Sequence, residues 1–313
     1  MSRRLLTLAV ALLAAVVLSA SGAAIPDTGA GTSASGTPTL FSVQGGAPQV
    51  LAGGAQKSWQ VTVSESRAYD AVFKGCLWLP DATGGRVYAS FDHIILHDDG
   101  DWTWIGKVAT AHGMQSAVIT FGKGTVFGVI PQPSAYPLRL VTQRGRTLLL
   151  QTDGGKLGQS PTARALRATQ DFKLPPRHKA SVQPQASAQP QASGNPVIDV
   201  MVAYTPGFVS ETGSASAALT RIDNLVDGAN QAYSDSLVNQ SIRLVHTVEV
   251  NYPDDTTNES ALDDITGSDG TNPHPIPPSL QGIAALRTEY GADLVSMLRS
   301  FDNATDGGCG LGW

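Results

Sequence analysis

The chain has 313 residues, of which 42% are hydrophobic and 15% are charged. This balance excludes a wholly disordered chain, which would be poorer in hydrophobic residues and richer in charge. The formal net charge of −5 is unevenly divided, since residues 1–196 carry +7 and residues 197–313 carry −12. The two segments could attract each other, or each surface could simply be solvated.

The N-terminus has the three parts of a secretory signal peptide. Residues 3–4 are an arginine pair, residues 5–18 form an apolar core, and residues 21–24 are small side chains suited to cleavage. The apolar core is too short for a membrane anchor. We therefore expect residues 1–24 to be a signal peptide and the protein to be secreted, with no membrane attachment after its removal.

The next segment predicts an antiparallel β domain. Residues 25–39 are small and polar, which is typical of a flexible leader. Residues 40–174 contain short β-forming runs separated by turn signals such as residues 98–101, and no helix of comparable strength. The predicted strands include residues 59–63, 72–79, 102–108, 117–121, 126–130 and 147–150.

Residues 175–196 form a linker. They contain two copies of a Gln-Pro-Gln-Ala-Ser repeat, a composition that has nothing to bury and stays extended in water. Arg177, His178 and Lys179 at its start should be accessible to proteases. A signal peptide, a β domain, a linker and a further domain are typical of a prepro-enzyme, and two independent secreted modules on a tether are the alternative.

After the linker the pattern predicts a strand followed by an amphipathic helix. Residues 197–204 form an apolar run, Pro206 and Gly207 suggest a turn, and Ser214 or Ser216 can cap the helix. The apolar stripe of the helix consists of Leu219, Ile222, Val226, Ala229, Tyr233 and Leu237, and the polar residues largely off it are Arg221, Asn224, Asp227, Asn230 and Asp235. These spacings place the two sets on different faces.

Two more strands and another helix complete the predicted α/β domain. Residues 242–252 alternate apolar and polar side chains, which predicts a half-buried strand and, with the preceding elements, a βαβ unit. Residues 279–290 predict a second helix, and residues 293–298 predict a third strand. The fold class is therefore α+β, an antiparallel β domain followed by an α/β domain over residues 197–313.

The histidines form no obvious catalytic group, and the sequence has neither a nucleophile elbow nor a phosphate-binding loop. His93 and His97 lie four residues apart beside aspartates, where they could bind a metal weakly, although a surface role beside a turn is favoured. His246 on the apolar face of its strand predicts a hydrogen-bonded core histidine. His274 lies between two prolines and predicts a loop.

Five aspartates cluster after the βαβ unit, namely Asp254, Asp255, Asp263, Asp264 and Asp269. Several carboxylates could hold calcium. Their spacing does not match the helix–loop–helix calcium motif, and a solvated acidic loop is therefore the favoured prediction.

Four stretches after the linker carry a resemblance to known proteins: residues 196–206 with the helix end at 230–233, residues 241–246, residues 290–298, and residues 308–313. They resemble reprolysin-like (metzincin) zinc metallopeptidases, in particular the secreted bacterial peptidyl-Asp metalloendopeptidases. Residues 99–106 resemble the propeptide of the same group. The resemblance extends over most of residues 70–313.

The resemblance implies a β-rich propeptide over residues 40–174, which inhibits the enzyme intramolecularly, and the first half of a catalytic domain over residues 197–313. Protein or peptide substrates are implied, and no nucleic-acid partner is expected. The family binds zinc on a helix with the motif His-Glu-x-x-His-x-x-Gly-x-x-His, which does not occur in this sequence. No catalytic or zinc-binding residue can therefore be carried over, and we expect zinc only in a full-length enzyme. A non-enzymatic secreted binding or inhibitory protein of two modules is the alternative.

The two cysteines lie in different predicted domains and form no disulfide framework. Cys309 is expected to pair, if at all, with a cysteine beyond this chain. The resemblance suggests that Cys76 is a latency thiol, since metzincin propeptides often place a thiolate on the zinc. A buried structural thiol is the alternative and is favoured by the strand-like surroundings of Cys76.

Overall fold

A computed structural model of the chain describes residues 40–51, 54–157, 172–173, 195–300 and 310–313. The predicted signal peptide, the leader, nearly all of the linker and Cys309 lie outside the described residues. Among the helices that the structure describes, none is long and apolar enough to cross a membrane. We call residues 40–157 the β unit and residues 195–300 with 310–313 the α/β unit. Both belong to one compact body, Pro38–Trp313.

The β unit is built on one antiparallel sheet of nine strands. The strands are β1 (Phe41–Leu51), β2 (Gln56–Val63), β3 (Cys76–Pro80), β4 (Arg86–Leu96), β5 (Trp102–Thr110), β6 (Gly113–Gly122), β7 (Thr125–Ile130), β8 (Leu138–Gln143) and β9 (Arg146–Thr152). Their spatial order is β1-β2-β9-β8-β7-β6-β5-β4-β3. Its core includes the fully buried Trp104, Phe121 and Leu140. Burial of the Phe121 and Leu140 side chains stabilises the fold by about 1.5–3 kcal/mol each.

Two helices accompany this sheet, α1 (Glu65–Lys74) and α2 (Gly154–Leu157). The prediction of a single strand over residues 72–79 is therefore wrong, because α1 continues to Lys74 and β3 begins only at Cys76. Gly75 separates them in the left-handed conformation, with φ of 72°, a helix-ending role that favours glycine. The helix buries Ala68 and Ala71, and its Val72 and Phe73 lie so close to the apolar residues of β3 that the two elements resemble one strand in the sequence.

The α/β unit has a parallel sheet of three strands in the order β11-β10-β12. The strands are β10 (Val197–Tyr204), β11 (Ser241–Glu249) and β12 (Leu294–Leu298), and the helices are α3 (Pro206–Thr212), α4 (Ala215–Asp235), α5 (Asn258–Thr266) and α6 (Ile283–Glu289). The predicted βαβ unit is present as β10-α4-β11. Ser214 caps α4, since its hydroxyl accepts a hydrogen bond of 3.0 Å from the Ala217 amide. The α+β fold class predicted from the sequence agrees with this mixture of strands and helices.

Apolar side chains cover both faces of the parallel sheet, because side chains alternate along β10. Val200 and Val202 point to one face and pack with Ile222 of α4. Met201 and Ala203 point to the other face and join the apolar cluster that includes residues of α5 and α6. The sheet is thus the middle layer of a three-layer α/β arrangement.

Three local predictions in the α/β unit are corrected by the structure. Pro206 and Gly207 do not form a turn but begin α3, with proline at a position where its missing N–H costs nothing. The predicted helix over residues 279–290 is divided into a 3₁₀ turn, Pro278–Leu280, and α6. The acidic stretch is not a single loop, because Asp263 and Asp264 lie on α5.

The two units meet along α4. This helix packs against β11 of its own unit and against β6 and β7 of the β unit, and α3 contacts β8. This helix, the longest among the described residues, is therefore covered on two sides. The apolar stripe predicted from its sequence accounts for only one of them.

Candidate functional site

The face of α4 beneath the β unit is polar and buried. Its residues recur at spacings that place them along one side of a helix. They are Thr220, Asp223, Asn224, Asp227 and Gln231, and none is more than 8% exposed. The amphipathic pattern of the sequence separates Asn224 and Asp227 from the apolar stripe, but it gives no sign that another unit covers them.

Thr220 brings the helix close to the nine-stranded sheet. Its hydroxyl donates a hydrogen bond of 2.5 Å to Asp101 Oδ2 and accepts one of 3.1 Å from the Thr125 hydroxyl. This approach needs a glycine at position 122, because a Cβ there would overlap the Thr220 and Asp101 side chains. Gly122 therefore fixes how closely the two units pack.

A chain of hydrogen bonds continues along the helix. Asn224 Nδ2 donates to Thr120 Oγ1 at 3.0 Å, and Thr120 shares a hydrogen bond of 2.8 Å with Thr103. Thr103 in turn donates to Asp227 Oδ2 at 2.5 Å. Each partner lies on the opposite unit from the helix residue it satisfies, so that polar groups buried by the contact are paired.

His97 joins the same network from the end of β4. Its Nε2 atom lies 3.0 Å from Asp227 Oδ2, and its Nδ1 atom lies 3.7 Å from Asp223 Oδ1. Its side chain is only 15% exposed, so the predicted surface role of His97 is wrong. Burial by itself would lower the pKa of His97, but the hydrogen bond to Asp227 and the negative charges of Asp223 and Asp227 outweigh it, and the pKa lies above its usual value.

Asp223 lies in an acidic environment between the units. Burial, together with the charges of Asp99, Asp227 and Asp101, raises its pKa to about 7, although His97 acts in the opposite direction. Burial likewise raises the pKa of Asp101. Carboxylate oxygens of Asp99, Asp101 and Asp223 lie within 4.8 Å of one another. Ionised carboxylates this close repel one another, and a cluster of acidic groups alone does not identify a cation site, so we assign no metal ligands here.

Charged and backbone contacts border this network. Lys107 Nζ of β5 lies 2.7 Å from Asp235 Oδ1 at the end of α4. The Arg144 amide donates to the Glu211 carbonyl oxygen at 2.9 Å, which connects the β8–β9 turn to α3. Opposite charges of the two segments thus meet at one end of the contact, as the division of charge in the sequence suggests.

A second contact involves residues just before the linker. The ammonium group of Lys173 lies 2.8 Å from Glu259 and 2.9 Å from Asp263, and its amide donates to the Gly312 carbonyl oxygen at 2.7 Å. On the same helix, Asp264 accepts hydrogen bonds of 2.6 Å from the Tyr252 hydroxyl and 2.7 Å from His274. The prediction of a solvated acidic loop is therefore wrong for Asp263 and Asp264.

Among the described residues, the histidines other than His97 do not come together in a zinc site. His93 is half exposed, 3.4 Å from Asp92, and His246 is partly buried with its ring stacked on Tyr290 at a centroid distance of 3.8 Å. His274 lies in a loop, as predicted, with Asp264 as its partner. Among the described residues, the clustered groups of three or more possible metal ligands include no histidine. The residues present therefore do not fit a catalytic zinc ion, which needs three protein ligands.

Cys76 begins β3, the edge strand of the nine-stranded sheet, opposite Ser90 of β4. Its side chain is half-buried and its thiol is free. Its suggested role as a latency thiol stays a prediction. The same holds for Cys309, which lies outside the described residues.

Comparison with known proteins concerns the α/β unit. Residues 195–313 match metallo-peptidase family M12B, reprolysin-like. This part of the chain is similar to that family of metallopeptidases. Over 118 residues the chain is 35% identical to a peptidyl-Asp metalloendopeptidase of Pseudomonas aeruginosa, a match that covers 37% of this chain and 18% of that protein. No solved structure matches the chain.

The resemblance inferred from the sequence is thereby confirmed for the α/β unit. The match spans less than a fifth of the length of the curated relative. The β unit lies outside the family match, which covers residues 195–313. Sequence reasoning did not find the polar network beneath that unit, because its members are separated by more than 100 residues.

Proposed function

We propose that the chain is the signal peptide, the propeptide and the first part of the catalytic domain of a secreted zinc endopeptidase. Residues 1–24 direct export, the β unit is the propeptide that acts as an intramolecular inhibitor, and residues 175–196 are the linker that is cut on activation. The observation that carries this proposal is the reprolysin-like match of residues 195–313, preceded by a separately built β unit that packs on its longest helix.

The chemistry of the contact supports a propeptide. A propeptide must hold the enzyme before activation and leave it afterwards, and the surface that it uncovers must then be stable in water. The α4 surface under the β unit carries Thr220, Asp223, Asn224, Asp227 and Gln231, all of which water can solvate after separation. Exposed apolar patches of similar size would instead promote aggregation.

Peptide hydrolysis itself needs residues that this sequence does not contain. Zinc would polarise the scissile carbonyl and activate a water molecule, but the His-Glu-x-x-His motif does not occur in the 313 residues. The 313-residue chain should therefore neither hold stoichiometric zinc nor cleave peptides. The printed name of the bacterial relative leads us to propose cleavage of peptide bonds beside aspartate in the longer enzyme.

The test compares the 313-residue chain with a chain extended by the coding sequence that follows Trp313 in the source genome. We expect the extended chain, after cleavage of the linker, to bind zinc and to hydrolyse casein in a chelator-sensitive manner. A Glu-to-Gln change in the expected zinc helix is the matched control, since it retains the three zinc ligands but removes the general base.

Three outcomes would contradict the proposal or a part of it. Zinc-dependent cleavage by the 313-residue chain would show that its own residues form the active site. An extended sequence without a zinc helix would favour a non-enzymatic secreted binding protein. Equal activity before and after linker cleavage would contradict only the inhibitory role of the β unit.

A further inference from the structure

The polar contact between the β unit and α4 contains acid–base groups that belong to different units. His97 is supplied by the β unit, and Asp223 and Asp227 are supplied by α4. The side chains of the two aspartates are 11% and 5% exposed, respectively. Separation of the units would transfer all three groups into water, so their protonation must be coupled to association.

These groups are buried but remain within reach of protons. A cleft of about 330 Å³ opens beside them and is lined from both units. His97 and Asp99 line it from the β unit, while Asp223 and His246 line it from the α/β unit. The contact can therefore exchange protons with solvent while the units are assembled.

We propose that the cluster of His97, Asp223 and Asp227 is a pH-sensitive latch, which holds the β unit on α4 at mildly acidic pH and weakens as the pH rises. This inference rests on the proposed function in one respect, since it assigns the latch to a propeptide. The geometry behind it is independent of catalysis.

The direction of the pH effect follows from two groups that bind protons more strongly in the assembled molecule. Burial raises the pKa of Asp223 from 3.8 to about 7, so its contribution is fully present below 3.8 and is lost as the pH rises through about 7. The pKa of His97 is raised from 6.5, since attraction to Asp227 and Asp223 outweighs burial. Its contribution is fully present below 6.5 and is lost at higher pH. The loss of either contribution weakens the contact as the pH rises.

The surrounding charges support this direction. Asp99 and Asp101 lie on the turn before β5 and face Asp223. When His97 and Asp223 lose their protons, Asp223 faces the negative charges of Asp99, Asp101 and Asp227. Thr103 and Thr220 donate to Asp227 and Asp101, but neutral hydroxyl groups offset only part of this repulsion.

Asp235, at the C-terminal end of α4, is expected to stay ionised near neutral pH. Burial would raise the pKa of Asp235, but hydrogen bonds from Lys107, Ser116 and Gln231 outweigh it, and the pKa lies below its usual value. The Lys107–Asp235 contact thus gives an attraction that does not depend on the protonation of Asp235 near neutral pH. The pH effect should originate at His97 and Asp223.

The test uses the full chain with a specific protease site introduced between residues 180 and 194. After the cut, the affinity of the two pieces is measured between pH 5 and pH 8. Because the pKa of Asp223 is raised from 3.8 to about 7 in the assembled molecule, this group alone should weaken binding at least tenfold between pH 5 and pH 8. Asp223→Asn resembles the protonated acid and should retain at pH 8 most of the affinity seen at pH 5. His97→Gln should weaken binding at pH 5 and reduce the pH dependence.

The matched control is the pair Asp92→Asn and His93→Gln. These side chains come from the same strand and form a similar acid–histidine pair, but they are half exposed. The controls should leave the pH dependence unchanged. An affinity that does not change with pH, or an unchanged pH dependence in both Asp223→Asn and His97→Gln, would overturn the proposal.

A second measurement covers the case in which a cut variant does not stay folded. The free energy of unfolding of the uncut chain is measured by urea at each pH, and it should fall between pH 6 and pH 8 in the wild type but much less in Asp223→Asn. Neither readout uses peptidase activity. Loss of the proposed enzyme function in the extended chain would therefore leave this result intact, and a failed latch would leave the enzyme assay intact.

Discussion

Helix α4 is buried on two faces whose chemistry is opposite. Towards the parallel sheet it presents Ala218 and Ile222, which pack with Val200 and Val202 of β10. Towards the nine-stranded sheet it presents Thr220 and Asp227, whose partners are hydroxyl, carboxyl and imidazole groups of the β unit. The contact with the parallel sheet removes apolar surface from water. The contact with the nine-stranded sheet replaces hydrogen bonds to water by hydrogen bonds between the two units.

This difference indicates which contact can be opened. An apolar face loses about 25 cal/mol for each Å² that returns to water, so the parallel sheet and α4 should stay together. A paired hydrogen bond contributes a net stabilisation of only about 0.5–1.5 kcal/mol, because water can replace either partner. The polar face is therefore suited to a contact that is made during folding and later released.

The largest expected effect is on the apolar face. Ile222→Ala should lower the free energy of unfolding of the chain by about 2–5 kcal/mol, because it leaves a cavity in a fully buried position. Urea denaturation and amide exchange of β10 would measure the loss. Leu225→Ala is the matched control, since Leu225 lies on the same helix but is 40% exposed. A similar loss in both variants would mean that the helix does not pack as described.

A smaller effect is expected where the polar face approaches the sheet most closely. Gly122→Ala should separate the units without unfolding either one, because the added methyl group would overlap Thr220 and Asp101. Overpacking of this kind costs about 1–3 kcal/mol. The measurement is the affinity of the two pieces after the linker is cut.

The control for this variant is Gly85→Ala in the same unit. A Cβ at position 85 would meet its nearest atoms, on Asp81 and Thr83, only at 3.9 Å. Its affinity should equal that of the wild type. If Gly122→Ala also bound normally, the close approach of Thr220 to the sheet would be disproved.

The sequence predicts the α/β unit well because its signals are local. The apolar run of β10, the stripe along α4 and the cap at Ser214 all lie within about 40 residues, and each follows a simple periodicity. The β strands of the first unit are recognisable for the same reason. Helix α1 escapes detection because its last apolar residues, Val72 and Phe73, are followed closely by the apolar residues of β3, and the two elements resemble one strand in the sequence.

The candidate site could not be predicted because its pattern is not periodic. Asp227 appears in the sequence as an ordinary polar residue of an amphipathic helix, and His97 as part of an aspartate-rich turn. Their contact joins residues 130 positions apart, and no local signal encodes such a pairing. Only the uneven charge of the two segments suggests that they attract each other, and it does not identify the residues involved.

The smallest expected effect tests the charged end of the polar face. Lys107 and Asp235 lie 2.7 Å apart, with side chains that are 28% and 30% exposed, so solvent screens much of their attraction. Lys107→Gln should weaken association of the cut units by only about 0.5 kcal/mol at low salt, and the difference from wild type should shrink in 1 M salt. Lys156→Gln is the matched control, because Lys156 pairs with Asp153 inside the β unit at 3.7 Å. A loss for Lys107→Gln as large as that for Gly122→Ala would mean that charge, rather than close packing at Thr220, holds the units together.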